Sequence, residues 1–143
     1  MTTGDIEATP VDEVFADSLV QRAVEAYNSH DADKFVALMT EDVVVEHSAA
    51  PAPLHGHVEV KAFYADTWKA FPDMTLKLID GPFFHLHAPR ISVNWIAAGL
   101  APTGDRVEFD VREIAEIRNG LVSRVRIVVG NILSGTDTGL ARR

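Results

Sequence analysis

An acid and a base stand side by side where an apolar run ends: Glu46 and His47 follow Val43, Val44 and Val45. An imidazole can take up or give a proton near neutral pH, and a carboxyl group can do the same once burial raises its pKa. The other carboxylate of interest is Glu113. Taken as a strand, Val107–Arg118 presents Val107, Phe109, Val111, Glu113, Ala115 and Ile117 on one face, so Glu113 is the single carboxylate on the apolar side. Burying it costs free energy unless it is protonated or paired. It is therefore either a structural acid tied to Arg124 or Arg126, or a pocket acid able to donate a hydrogen bond. His47 has a bland alternative too, a hydrogen bond at the strand end with Glu46 facing water. Together the two residue types suit acid/base work on a carbonyl compound: the imidazole takes a proton, and the carboxylic acid stabilises the enolate or returns a proton. His85 and His87 alternate along an expected strand as paired zinc ligands would. No third ligand is evident, so no metal is expected and solvent-facing histidines explain the pair.

The elements that must position these groups can be read from periodicity. Residues 1–8 are small and polar and read as a flexible arm. Thr9 and Pro10 suggest an N-cap and first-turn proline for a helix over 10–29, with Phe15, Leu19, Ala23, Ala26 and Tyr27 on one face. A short helix is expected over 31–39, capped by Asp31, and then a strand over 43–47. The loop Ser48 to Leu54 holds two prolines and three alanines and reads as the mobile wall of a pocket. A third helix over 57–70 carries Phe63, Tyr64 and Trp68, with His55 and His57 as capping or surface residues. Strands are then expected over 74–79, 83–87, 90–98, 106–118 and 121–133, with Asn119–Gly120 a strong hairpin signal. The tail 134–143 is again small and polar, which leaves 9–133 as one domain. Helices followed by long antiparallel strands make an α+β layout with the helices on one curved sheet, whose outer face is expected to be apolar and to suit a homodimer. Phe63, Trp68, Val93, Trp95, Phe109 and Val111 are the expected substrate-binding wall; Trp68 suits the core equally well.

Composition narrows the function. With 47% hydrophobic and 24% charged residues over 143 positions, the chain can bury a core of its own. No cysteine is present, which removes disulfides, thiolate metal sites and thiol nucleophiles. A net charge of −8 argues against nucleic acid, whose phosphates require a basic surface. The N-terminus lacks the charged and apolar regions of a signal peptide, and no apolar run approaches a membrane span, so a cytoplasmic protein is expected. The partner this leaves is an apolar small molecule.

The segment VEHSAAPAPLHGHVEVKAFY, Val45 to Tyr64, resembles the corresponding segment of bacterial ketosteroid isomerases. Ala101-Pro102-Thr103-Gly104 and VEFDVREIAEIRNG, Val107 to Gly120, resemble the SnoaL-like polyketide cyclases. Both families belong to one superfamily, and the similarity covers roughly residues 12–132. It implies the cone-shaped α+β barrel shared with nuclear transport factor two: three N-terminal helices on a highly curved, mostly antiparallel sheet enclosing a pocket. It further implies a homodimer, no cofactor, and isomerisation, cyclisation or dehydration of a carbonyl compound; a non-catalytic binding or dimerisation module is the alternative. By the same resemblance the isomerases' proton-transferring aspartate falls on His47, and their protonated oxyanion-hole aspartate on Glu113. Their oxyanion-hole tyrosine falls on Ala23, which cannot donate, and Tyr27 and Tyr64 are the replacements at hand. The cyclases' aspartate falls on Ile127 and their histidine on Glu113. The Arg-bridged aspartate pair of epoxide hydrolases with this fold is not found.

Overall fold

Asp12 stops the chain from fraying into the first helix. Its carboxylate accepts from the Phe15 N–H at 2.9 Å, one of the donors a helix start leaves without a partner. The computed structural model describes residues 11–85 and 87–134, the last four by backbone alone. Helix α1 (Glu13–Asn28) buries Ala16, Leu19, Val20, Ala26 and Tyr27. The Thr9–Pro10 start lies outside the described residues, and the cap of the observed helix is Asp12. Helix α2 (Ala32–Val36) is capped by Asp31 as expected, but ends early because Met39 already belongs to strand β1 (Met39–His47). There Met39 pairs with Val122. The Pro- and Ala-rich loop yields a short strand β2 (Leu54–His55), paired with Val44 and Val45. Helix α3 (Gly56–Ala70) follows; Gly56 (φ +78) allows the chain to pass close to the Glu41 carbonyl, where a side chain would crowd it.

The two strands expected over 74–79 and 83–87 are one, β3 (Thr75–Phe84), kept continuous by register shifts on either side of Asp80. It stops before His85, whose ring bonds Ser92 Oγ at 2.9 Å, and Leu86 lies outside the described residues. So the alternation His85–His87 does not lie on a strand. Strands β4 (Arg90–Leu100), β5 (Arg106–Arg118) and β6 (Leu121–Ser134) complete a six-stranded sheet in the order β2-β1-β6-β5-β4-β3. All neighbours run antiparallel except β1 and β6. The α+β class and the mostly antiparallel curled sheet are as expected, with one correction. β2 and β3 are free edges, so the sheet curls around the helices without closing into a barrel. Bulges in β1, β3 and β6 supply the curl.

Alternation sorts the sheet into two faces. Ile91, Val93, Trp95, Ala97 and Gly99 of β4 are buried under the helices, with Ser92, Asn94, Ile96 and Ala98 between them less so. The expectation of an apolar outer face holds only in part. Glu46, Arg90, Glu116, Arg124 and Arg126 share that side in ion pairs, with Phe83, Leu100, Ile114 and Val128 as exposed apolar groups around them. Among the described residues no helix is long and apolar enough to cross a membrane.

Candidate active site

One strand, β6, sets the distance between the two groups of interest. Ile127 pairs with His47 of β1 on one side and with Glu113 of β5 on the other. Paired residues point to the same face, so His47, Ile127 and Glu113 form a row on the concave side. Two strand spacings separate the outer members, about 10 Å between their Cα atoms. Val93 of β4 continues the row beyond Glu113. Over it lies a cavity of about 260 Å³ whose wall includes His47, Glu113, Tyr27, Tyr64 and Ile127. The sheet meets the helices here without filling the space between them.

Among the described residues Glu113 has no cationic partner. Arg124 and Arg126, the structural partners it might have had, both reach Glu46 on the opposite face, at 2.5 and 3.0 Å. Those bonds hold the Glu46 carboxyl below the usual range, Arg124 contributing most. Glu113 instead accepts a hydrogen bond from Trp95 Nε1. Trp95 is paired with Val111, two residues from Glu113, so its indole reaches diagonally along the sheet face. Burial raises the Glu113 pKa, and the Trp95 bond offsets this only in part. What accessible surface Glu113 keeps is turned to the cavity.

His47 is held by the turn that follows its strand. The Ala49 N–H donates to its Nδ1 at 3.1 Å, while the Ser48 N–H donates to Ile127 O at 3.0 Å. A backbone N–H can only donate, so Nδ1 is the unprotonated nitrogen and the neutral ring carries its proton on Nε2. Burial lowers the His47 pKa to about 4, which keeps the ring neutral at physiological pH. Both halves of the bland alternative are thus present, a strand-end hydrogen bond on His47 and a solvent-facing Glu46. They coexist with a pocket position for the imidazole.

The phenols lie deeper. Burial pushes Tyr27 up to about 12 and Tyr64 well above its usual value, and the nearby Glu113 charge adds to both. Each therefore stays protonated. Tyr64 packs edge-on against Tyr27, Phe35 and Phe63 with centroids 6.2, 4.7 and 5.3 Å away. Phe63, Trp95, Phe109 and Val111 line the cavity as expected. Trp68 does not: it is buried behind Tyr27 and Tyr64, stacked on His30 at 5.1 Å, in the core reading of its position. Val93 lines a smaller cavity behind Glu113. The wall also includes Ala49, Phe71, Met74, Leu76 and Val129, which the sequence did not single out. Met74 and Leu76 could have been found from the alternation at the start of β3. Ala49 has no such signal, because only the turn after His47 brings it in. No group of three or more potential metal ligands occurs among the described residues.

A family model, the SnoaL-like domain, matches residues 20–125. In solved structures the chain is similar to AusH from Aspergillus nidulans, with a TM-score of 0.73 and 17% identity, covering 85% of this chain and 88% of that one. It is similar also to SalBIII, an epoxide hydrolase/cyclase-like enzyme of pyran ring formation in the polyether salinomycin (TM-score 0.72, 17% identity, 85% of this chain and 95% of that one). A protein of ketosteroid isomerase-like fold from Catenulispora acidiphila gives a TM-score of 0.67 and 11% identity over 76% of this chain and 82% of that one. At these identities the likenesses establish the fold.

Proposed function

The chain belongs to the SnoaL-like domain family, and we propose that it is an acid/base enzyme acting on an apolar, carbonyl-bearing small molecule with its own side chains alone. The observation that carries the reading is the row His47–Ile127–Glu113: two titratable groups, neither ion-paired among the described residues, facing one apolar cavity at a separation that admits a carbonyl and its neighbouring carbon.

The roles we assign reverse those the sequence suggests. With Ala49 on Nδ1, His47 offers a donor, Nε2–H, to the substrate's carbonyl oxygen. Glu113, its pKa raised, is then the group that moves the proton. As a carboxylate it removes a proton from the carbon next to the carbonyl. The C–H electron pair becomes the C=C bond of an enolate whose oxygen is held by Nε2–H, with Tyr27 or Tyr64 as a second donor. Glu113, now protonated, returns the proton to a different carbon, giving isomerisation. If the enolate instead attacks a second carbonyl, the proton goes to the new alkoxide, giving cyclisation. If it expels a β-hydroxyl, the proton leaves with it as water.

The test is turnover of β,γ-unsaturated ketones, hydroxy-ketones and polyketide esters by wild type, His47→Ala and Glu113→Gln. Each substitution should lower kcat by about a hundred- to ten-thousand-fold. The double variant should lose less than the product, since both act on one transition state. Equal rates in variants and wild type would remove these residues from the mechanism. Tight binding with no turnover would leave a small-molecule-binding module of the same fold.

A further inference from the structure

Behind Glu113 lies a second cavity, of about 60 Å³. It shares four wall residues with the large one: Ala23, Phe35, Trp95 and Glu113. Its far side is closed by aliphatic groups, Val93 and Val125 among them. The Glu113–Trp95 pair and Ala23 of α1 thus stand at the boundary between the two spaces.

Water is a poor occupant of the smaller space. A buried water needs two to four polar partners. Only two side chains of this wall bear nitrogen or oxygen, and they are already bonded to one another, Trp95 Nε1 to a Glu113 oxygen. Roughly two waters' worth of volume, lined by hydrocarbon and opening beside a carboxyl group, suits a short alkyl chain instead. Ala23 matters because it is small. A longer side chain there would project into the boundary and separate the cavities.

The geometry points to a branch pocket: the ligand carries a short alkyl substituent, up to about three carbons, next to the carbon whose proton Glu113 moves, and Ala23 admits it. The substrate class is then a carbonyl compound with a short alkyl branch at or beside the reacting carbon. This rests on the proposed role of Glu113 for the word "reacting", but the pocket itself is tested by binding alone.

Phenol, 2-methylphenol, 2-ethylphenol and 2-propylphenol place a hydroxyl where the carbonyl oxygen would lie and a growing branch beside it. Their Kd values, read from the quenching of tryptophan fluorescence, should fall about fourfold per added carbon in wild type, the transfer gain of a buried methylene. In Ala23→Leu, which closes the passage, and in Val93→Leu, which fills the pocket from its far side, the ratio of Kd between phenol and 2-propylphenol should collapse to within about twofold. Two variants on different elements guard against the misfolding of one. A chain-length gain that persists in both variants, or is absent in wild type, overturns the branch pocket and leaves a packing void. Retained binding gains with wild-type turnover by Glu113→Gln would instead overturn the catalytic reading and leave the pocket standing.

Discussion

His47 and Glu113 are displaced in pKa by the same cause acting on opposite charges. Burial disfavours the cationic imidazole and the anionic carboxylate alike, lowering His47 to about 4 and raising Glu113 above its ordinary 4.5. Each displacement has a cost in stability with a definite sign. As the pH falls from 6.5 to about 4, the unfolded chain takes up a proton at His47 that the folded one refuses, so stability is lost through that window. As the pH rises from 4.5 through the folded value of Glu113, the unfolded chain releases a proton that the folded one keeps, and stability is lost in that direction. Glu113→Gln removes only the second loss. Urea unfolding between pH 4.5 and 8.5 should show the variant gaining on wild type as the pH rises. A margin that does not change with pH would mean that Glu113 titrates like a surface carboxylate. That Glu113 points to the apolar face was legible from strand alternation, whereas the place of His47 beside it came from the resemblance to the isomerases. Which nitrogen of His47 is protonated was not legible, because it depends on the N–H of Ala49 in a turn the sequence marks only as loop. Trp68 shows the same limit: helical spacing places it on the inner face of α3, but does not say whether it lines the cavity or packs behind Tyr27 and Tyr64.

The pairing of these residues is decided by elements distant from them. His47 and Glu113 flank Ile127 only while β5 and β6 keep their register, and that register is set at the hairpin Asn119–Gly120. Both turn residues have positive φ, 53° and 79°, the conformation a two-residue turn needs to match the strands' twist. Asparagine and glycine tolerate it; a β-branched residue does not. Gly120→Val should cost about 1–3 kcal/mol in urea unfolding. Activity per folded molecule should fall as well, since a one-residue slip would turn Glu113 to the outer face. Unchanged stability would show that the turn does not hold the register. This element was legible because its signal is local. The elements that were misjudged depend on distant partners. β1 begins at Met39 because Val122 is there to pair with it, and β3 runs unbroken past Asp80 because β4 continues alongside. The outer face was expected to be apolar, yet Arg124 and Arg126 bracket Glu46 there from the next strand, a cross-strand relation that single-strand alternation does not contain.

The molecule as a whole leaves a space of about 260 Å³ unfilled between helices and sheet. Its lining atoms forgo the dispersion contacts they would make in a filled core. A ligand that occupies the space restores those contacts and binds only the folded state, so its binding energy adds to stability. At a hundred times its Kd the gain is about 2.7 kcal/mol. For a domain of this size that should raise Tm by about 5–10 °C. The wall selects the ligand's charge: it is apolar but for a few groups, Glu113 among them, and the chain has a net charge of −8. A charged ligand would lose its hydration in that low-dielectric space and find no cation among the wall residues to replace it. 2-Naphthol, a neutral ring with one hydroxyl, should therefore raise Tm at neutral pH, and 2-naphthoate at the same concentration should do so far less. Ala97 lines the cavity from β4, and Ala97→Phe would place a ring where the ligand's ring belongs. That variant should start from a higher or unchanged Tm and respond little to 2-naphthol. A response equal to wild type's would place the naphthol elsewhere on the protein, and an equal response to naphthoate would mean that the wall does not select the ligand's charge.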